Sequence, residues 1–155
     1  MSCSTALKKA RPLHTVVLAI GNTLRGDDGV ASRVADLLGE RSGVEVRRAH
    51  QLTPELAEEI AHASAVVFVD ADPGAVEARL ERLIPSQRRS PLTHSVTPGE
   101  LVIMAERLYG FQGVAYLCRV PAERFTEGDS LSEVAEAGAR AAAECVLGLL
   151  DGAGR

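Results

Sequence analysis

The sequence has no run of apolar residues near the roughly 20 that a membrane-crossing helix needs. Its first dozen residues, MSCSTALKKARP, are basic and lack the apolar stretch of a signal peptide. These absences point to a cytoplasmic chain with a flexible extension over residues 1–13 and one domain over residues 14–152. Cysteine is scarce too. Cys3, Cys118 and Cys145 lie far apart, with no CxxC or Cys/His cluster to make a zinc or redox motif. Nor is there an excess of positive charge: 17 Lys and Arg stand against 21 Asp and Glu, a net charge of −4. That balance gives no sequence-wide attraction to nucleic acid or to an anionic membrane surface. The chain also lacks the GxSxG elbow of serine hydrolases and the HExxH helix of zinc proteases, which removes both standard peptidase arrangements.

What is present is ordinary globular material. With 155 residues, 46 % of them hydrophobic and 25 % charged, the chain can bury one continuous core. Residues 14–20, HTVVLAI, and residues 65–69, AVVFV, are short apolar runs that read as buried strands. Residues 44–49 and 114–120 read as two more strands. The alternation in EARLERL over residues 77–83 suits a half-exposed edge strand. Helices are expected over residues 29–39, from Thr53-Pro54-Glu55 onward with Thr53 as cap, and from Thr97 to a stop at Gly110, where Thr97 and Glu100 form a capping box. A long final helix opens at Ser130-Leu131-Ser132-Glu133 and carries Leu131, Val134, Ala135, Gly138, Ala142, Val146 and Leu149 on one side. Alternating strands and helices predict an α/β three-layer sandwich, with a mainly parallel twisted sheet of about five strands and helices on both faces.

In such sheets, sites form outside the carboxyl ends of the strands. Two acidic segments lie there: GNTLRGDDG after the first strand and Asp70-Ala71-Asp72 after the third. If those strands are parallel, the carboxylates converge, and convergent carboxylates repel unless a cation or proton sits between them. A phosphate-binding reading of the first loop is weak, because it lacks GxGxxG and the P-loop lysine and places Asp27 and Asp28 at the helix start. A competing account makes Asp27 a helix cap, Asp70 a strand-ending turn residue and His94 an ordinary loop histidine. Taken together, two carboxylates and an imidazole suit a borderline divalent ion such as nickel or zinc.

The order of three motifs sharpens this reading. VVLAIGNTLRGDDGV over residues 16–30, VVFVDAD over residues 66–72 and LTHSVTPGEL over residues 92–101 resemble the hydrogenase maturation proteases. That family opens with a strand and a GN-x-L-x-x-D-[DE]-G loop, continues with an apolar strand ending in V-D-A, and has a Thr-His pair before a helix. The segments HQLTPEL at residues 50–56 and ERLYG at residues 106–110 resemble one branch of it. Two departures, Ala19 and Ala31 where the family often has glycine, remove no metal ligand. The resemblance implies that Asp28, Asp70 and His94 bind metal and carry the activity. Asn22 and Thr93 are supporting candidates, while Asp72 and His50 have no fixed place in the family pattern.

The activity implied by the resemblance is aspartic-type endopeptidase processing of a nickel-iron hydrogenase large-subunit precursor. A C-terminal extension is removed after nickel insertion, with the nickel supplied by the substrate, and the enzyme is expected to be a monomer. A non-catalytic nickel-binding maturation chaperone is the rival reading. A small-molecule or nucleotide-binding α/β protein is a third.

Overall fold

Six consecutive buried residues make β1 (Thr15–Ile20), and four more, Val66 to Val69, lie within β3 (Ala65–Asp72). Uninterrupted apolar strands of this kind belong at the centre of a parallel sheet, where both faces are covered. The computed structural model describes residues 14–85 and 96–153, and it places these two strands side by side. With β2 (Val44–Ala49), β4 (Arg79–Arg82) and β5 (Val114–Pro121) they form a sheet of order β2-β1-β3-β5-β4. All neighbours are parallel except β4, which runs antiparallel to β5 at the edge. The expected sheet of about five strands, mainly parallel, is what forms.

Because strand side chains alternate, the sheet has two apolar faces. Val17, Ala19, Val67, Val69, Cys118 and Val120 form one, covered by α1 (Val30–Leu38) and α4 (Glu133–Ala153). Val16, Leu18, Ile20, Val66, Phe68 and Ala115 form the other, covered by the short α2 (Leu56–Ile60) and by α3 (Pro98–Tyr109). A sandwich of three layers results, with helices on both faces. Among the described residues no helix is long and apolar enough to cross a membrane.

Capping fixes the helix ends. Thr97 accepts a hydrogen bond from the Glu100 N–H at 3.1 Å, Pro98 occupies the first turn, and Gly110 closes α3 at φ 73°. The local expectations hold in part. Thr53 does not cap α2; its carbonyl accepts the Leu56 N–H at 3.1 Å in a turn, and the helix that follows is only five residues long. Within the expected segment Ser130–Glu133 it is Ser132 that caps α4, its hydroxyl accepting the Ala135 N–H at 3.1 Å. Of the stripe expected on α4, Ala135, Gly138, Ala142 and Val146 are buried and Leu131 and Leu149 partly so, with Ala139, Ala143 and Leu150 beside them; Val134 alone departs, at 44 % exposed.

Right after β1 the chain passes to α1 on one face, and β2 leads to α2 on the other. β1 therefore has β2 on one side and β3 on the other, so the carboxyl ends of β1 and β3 flank the point where the winding reverses. The segment proposed as an N-terminal extension, residues 1–13, lies outside the described residues.

Candidate metal-binding and catalytic site

The loop leaving β1 folds back on itself at Gly21, whose φ is 145°. A Cβ there would stand 1.9 Å from the carbonyl oxygen of Asp28, so only glycine permits the approach. Asn22 closes the loop from both sides: its N–H donates to Asp28 Oδ2 at 2.8 Å, and its Oδ1 accepts the Leu24 N–H at 2.9 Å. Asn22 thus supports Asp28 through the backbone. Asp28 sits in a 3-10 turn (Gly26–Gly29) that runs directly into α1, partly buried.

Asp70 reaches the same edge from β3. It lies directly opposite Ile20, the residue before Gly21, and β3 continues past the end of β1 to Asp72. The two acids were expected in loops after their strands; Asp70 is instead held within a strand, which fixes its position more firmly. Burial, opposed by a hydrogen bond from the Ala71 N–H and reinforced by the charges of Asp28 and Asp72, pushes the Asp70 carboxyl up to about 6. A buried carboxyl with two other acids beside it is a position where a cation would be favoured.

The neighbouring acids do other work. Asp27 is fully buried and caps neither the 3-10 turn nor α1. Its Oδ2 accepts the N–H groups of Glu123 and Arg124 at 2.8 and 2.9 Å and the Ser132 hydroxyl at 2.6 Å, and its Oδ1 accepts the Ser132 N–H at 2.8 Å. Burial opposes ionisation of Asp27, but these four bonds outweigh it and hold the carboxyl below its usual value. Asp27 therefore fastens the β1 loop to the start of α4. Sequence reading missed Ser132 as its partner, and a separation of 105 residues leaves no local signal to find it. Asp72 Oδ1 accepts the Gly74 N–H at 2.8 Å and makes the turn that ends β3.

His50 is exposed and follows β2, whose Ala49 carbonyl accepts the Gly21 N–H at 2.9 Å. His94 and Thr93 lie outside the described residues. The description resumes at Val96, which packs against the cluster formed by Ile20, Val66 and Phe68. Among the described residues no set of three or more His, Cys, Asp or Glu side chains is placed to hold a metal ion. A thiol nucleophile is unsupported: burial, with Cys145 nearby, pushes the Cys118 thiol up to about 12, and it is inert at neutral pH.

This arrangement is similar to known structures over nearly the whole chain. The hydrogenase maturating endopeptidase HybD from E. coli matches at 20 % identity and TM-score 0.67, covering 92 % of this chain and 94 % of that one. A [NiFe] hydrogenase maturation protease, HycI, from Thermococcus kodakarensis matches at 22 % identity and TM-score 0.69, covering 89 % and 92 %. The hydrogenase 2 maturation peptidase from Thaumarchaeota archaeon SCGC_AB-539-E09 matches at 26 % identity and TM-score 0.62, covering 88 % and 97 %. The chain has the fold of the hydrogenase maturation proteases. No family model matches it, and no curated protein sequence matches it at a significant level. With identities this low, the hydrogenase maturation protease likeness rests on architecture, and the arrangement of Asp28 and Asp70 must speak for the chemistry.

Proposed function

We propose that this protein is an endopeptidase that removes the C-terminal extension of a nickel-iron hydrogenase large-subunit precursor after nickel has been inserted. The observation that carries the proposal is the pair Asp28 and Asp70, brought to one sheet edge at the winding reversal of a hydrogenase maturation protease fold. Asp28, Asp70 and His94 grip the nickel that the substrate already holds. Two oxygens and an imidazole suit that borderline ion, and the mutual repulsion of the acids is relieved when it arrives.

In this reading the nickel belongs to the substrate and serves as the recognition fixture. An incomplete ligand set is what such a role requires, because the precursor supplies the remaining donors. A divalent ion at such a position polarises a carbonyl and acidifies water. Asn22 holds Asp28 in place through its backbone N–H. The enzyme acts in the cytoplasm as a monomer that meets its precursor transiently.

The test is a mass assay of nickel-loaded large-subunit precursor incubated with the protein, beside nickel-free precursor. Loss of a C-terminal peptide is expected only with nickel. Asp28→Asn, Asp70→Asn and His94→Ala are each expected to slow it by about 100-fold or more, the scale of losing a ligand-shell group. Nickel-dependent binding without any cleavage would replace the enzyme with a maturation chaperone. Full cleavage by all three variants would remove the site assignment.

A further inference from the structure

A row of cations continues from Asp70 toward the sheet edge. In the parallel ladder between β3 and β5, Arg119 stands directly opposite Asp70; in the antiparallel ladder between β5 and β4, Arg79 stands directly opposite Arg119. Residues directly opposite one another project to the same face. That face is the one whose deeper residues are Val66, Phe68 and Ala115, the side covered by α2 and α3. At a strand spacing of about 4.8 Å, the Arg119 backbone is one spacing from Asp70 and the Arg79 backbone is about 10 Å away.

Among the described residues neither guanidinium is neutralised in a way that explains its position. Arg119 is exposed and makes no ion pair with Asp70. Arg79 is 64 % exposed, and among the described residues its one ion pair is a 3.6 Å contact with Glu81, two residues along its own strand. Like charges directly opposite in an antiparallel pair are unfavourable, so the pair brings the sheet no stability of its own. What two adjacent guanidinium forks do well is bind a carboxylate with paired hydrogen bonds.

We propose that Arg119 and Arg79 form a carboxylate-binding subsite for the part of the substrate that lies beyond the scissile bond. This rests on the endopeptidase reading, in which that part is a C-terminal peptide. Such a peptide carries a free α-carboxylate and any acidic side chains it contains. The row fixes the geometry: with Asp70 on the nickel, a carboxylate about 5–10 Å away along the row lies about two to three residues down an extended chain. The net charge of −4 makes a long polyanion a poor occupant, whereas a single carboxylate needs only the local pair.

The experiment is steady-state cleavage of the nickel-loaded precursor by wild type, Arg119→Ala, Arg79→Ala, the double alanine variant and the double lysine variant. Each single alanine change is expected to raise KM about three- to tenfold and the double change further, with kcat within about twofold, the signature of lost ground-state binding. Lysines are expected to restore part of the affinity as point charges. Two altered precursors identify the source. If Asp and Glu of the extension changed to Asn and Gln raise the wild-type KM but not that of the double alanine variant, the partner is a side chain. If lengthening the extension by four glycine and serine residues does so, it is the terminal α-carboxylate. A folded double alanine variant that cleaves with wild-type KM overturns the subsite and leaves the endopeptidase reading intact. A wild-type protein that cleaves no nickel-loaded precursor overturns that reading, and the subsite falls with it.

Discussion

Asp27 and the pair Asp28–Asp70 occupy the same end of the sheet in opposite states. Asp27 is wholly out of solvent, receives four hydrogen bonds, and titrates below its usual range. Among the described residues Asp28 has a single backbone donor on its carboxylate, and Asp70 faces two other acids and titrates near 6. The first arrangement is complete without a ligand; the second, in the proposed function, is completed by the substrate's nickel. The difference teaches how adjacent residues divide structural and chemical work: buried groups that are fully satisfied hold a fold, and groups left in mutual repulsion are available for function.

The largest effect expected from breaking this contrast is at Asp27. Replacing it with alanine leaves the N–H groups of Glu123, Arg124 and Ser132 and the Ser132 hydroxyl without their acceptor, a loss of about 3–5 kcal/mol on the scale for breaking buried charged networks. Urea unfolding measures it, and a loss below about 1 kcal/mol would mean that the network reorganises or takes up water. The pH dependence follows from the lowered carboxyl. Its contribution is full above the unfolded value near 3.8 and is lost as pH falls through the lower native value. Asp27→Asn is therefore expected to flatten the acid limb of the stability curve.

Asp70 is expected to behave in the reverse sense. Its native carboxyl, near 6 against 3.8 unfolded, binds a proton more tightly when folded, so stability rises as pH drops through 6 and levels off below 3.8. At about 1.36 kcal/mol per pH unit, the ionised carboxylate costs up to about 3 kcal/mol at pH 7, less whatever solvent screening remains. Asp70→Asn should therefore raise the urea midpoint at pH 7 while abolishing cleavage, and the gain should shrink toward pH 4. A pH series on the two proteins tests this. An Asn variant less stable than wild type at pH 7 would show that Asp70 is a structural group like Asp27, and the contrast would collapse.

Much of this was legible in the residues, for identifiable reasons. The runs at residues 14–20 and 65–69 stood out because central parallel strands are covered on both faces and have no polar alternation to blur them. The alternation at residues 77–83 marked β4 as an edge for the converse reason. That the acids after the first and third strands meet at one sheet edge was legible because the sites of such sheets lie at strand ends; the choice of Asp28 over Asp27 came from the family resemblance. What stayed hidden depended on partners far away in sequence. Asp27 meets Ser132 across 105 residues, and the row Asp70–Arg119–Arg79 exists only once two strand registers are known. On α4 the expected stripe holds at Ala135, Gly138, Ala142 and Val146, and Val134 was wrongly included because the alanines that mark the face, Ala139 and Ala143, signal it weakly. His94, the third ligand implied by family likeness, falls outside the described residues.

A last comparison isolates burial as the cause. Arg33 of α1 and Glu136 of α4 join the same two regions that Asp27 and Ser132 join. The guanidinium donates from Nε to both carboxylate oxygens, at 3.0 and 3.3 Å, and Nη2 lies 3.0 Å from Oε1. By geometry alone this pair looks as strong as the Asp27 network. Its side chains, however, are 35 % and 34 % exposed, and water competes for both charges. Arg33→Met, which keeps the aliphatic stem packed, is expected to leave the urea midpoint at its wild-type value within the error of the transition. Wild-type stability should likewise show little salt dependence from this pair. If Arg33→Met instead destabilised the protein as much as Asp27→Ala does, the grip of α4 on the β1 loop would come from ionic contact in general, and the full burial of Asp27 would lose its explanatory role.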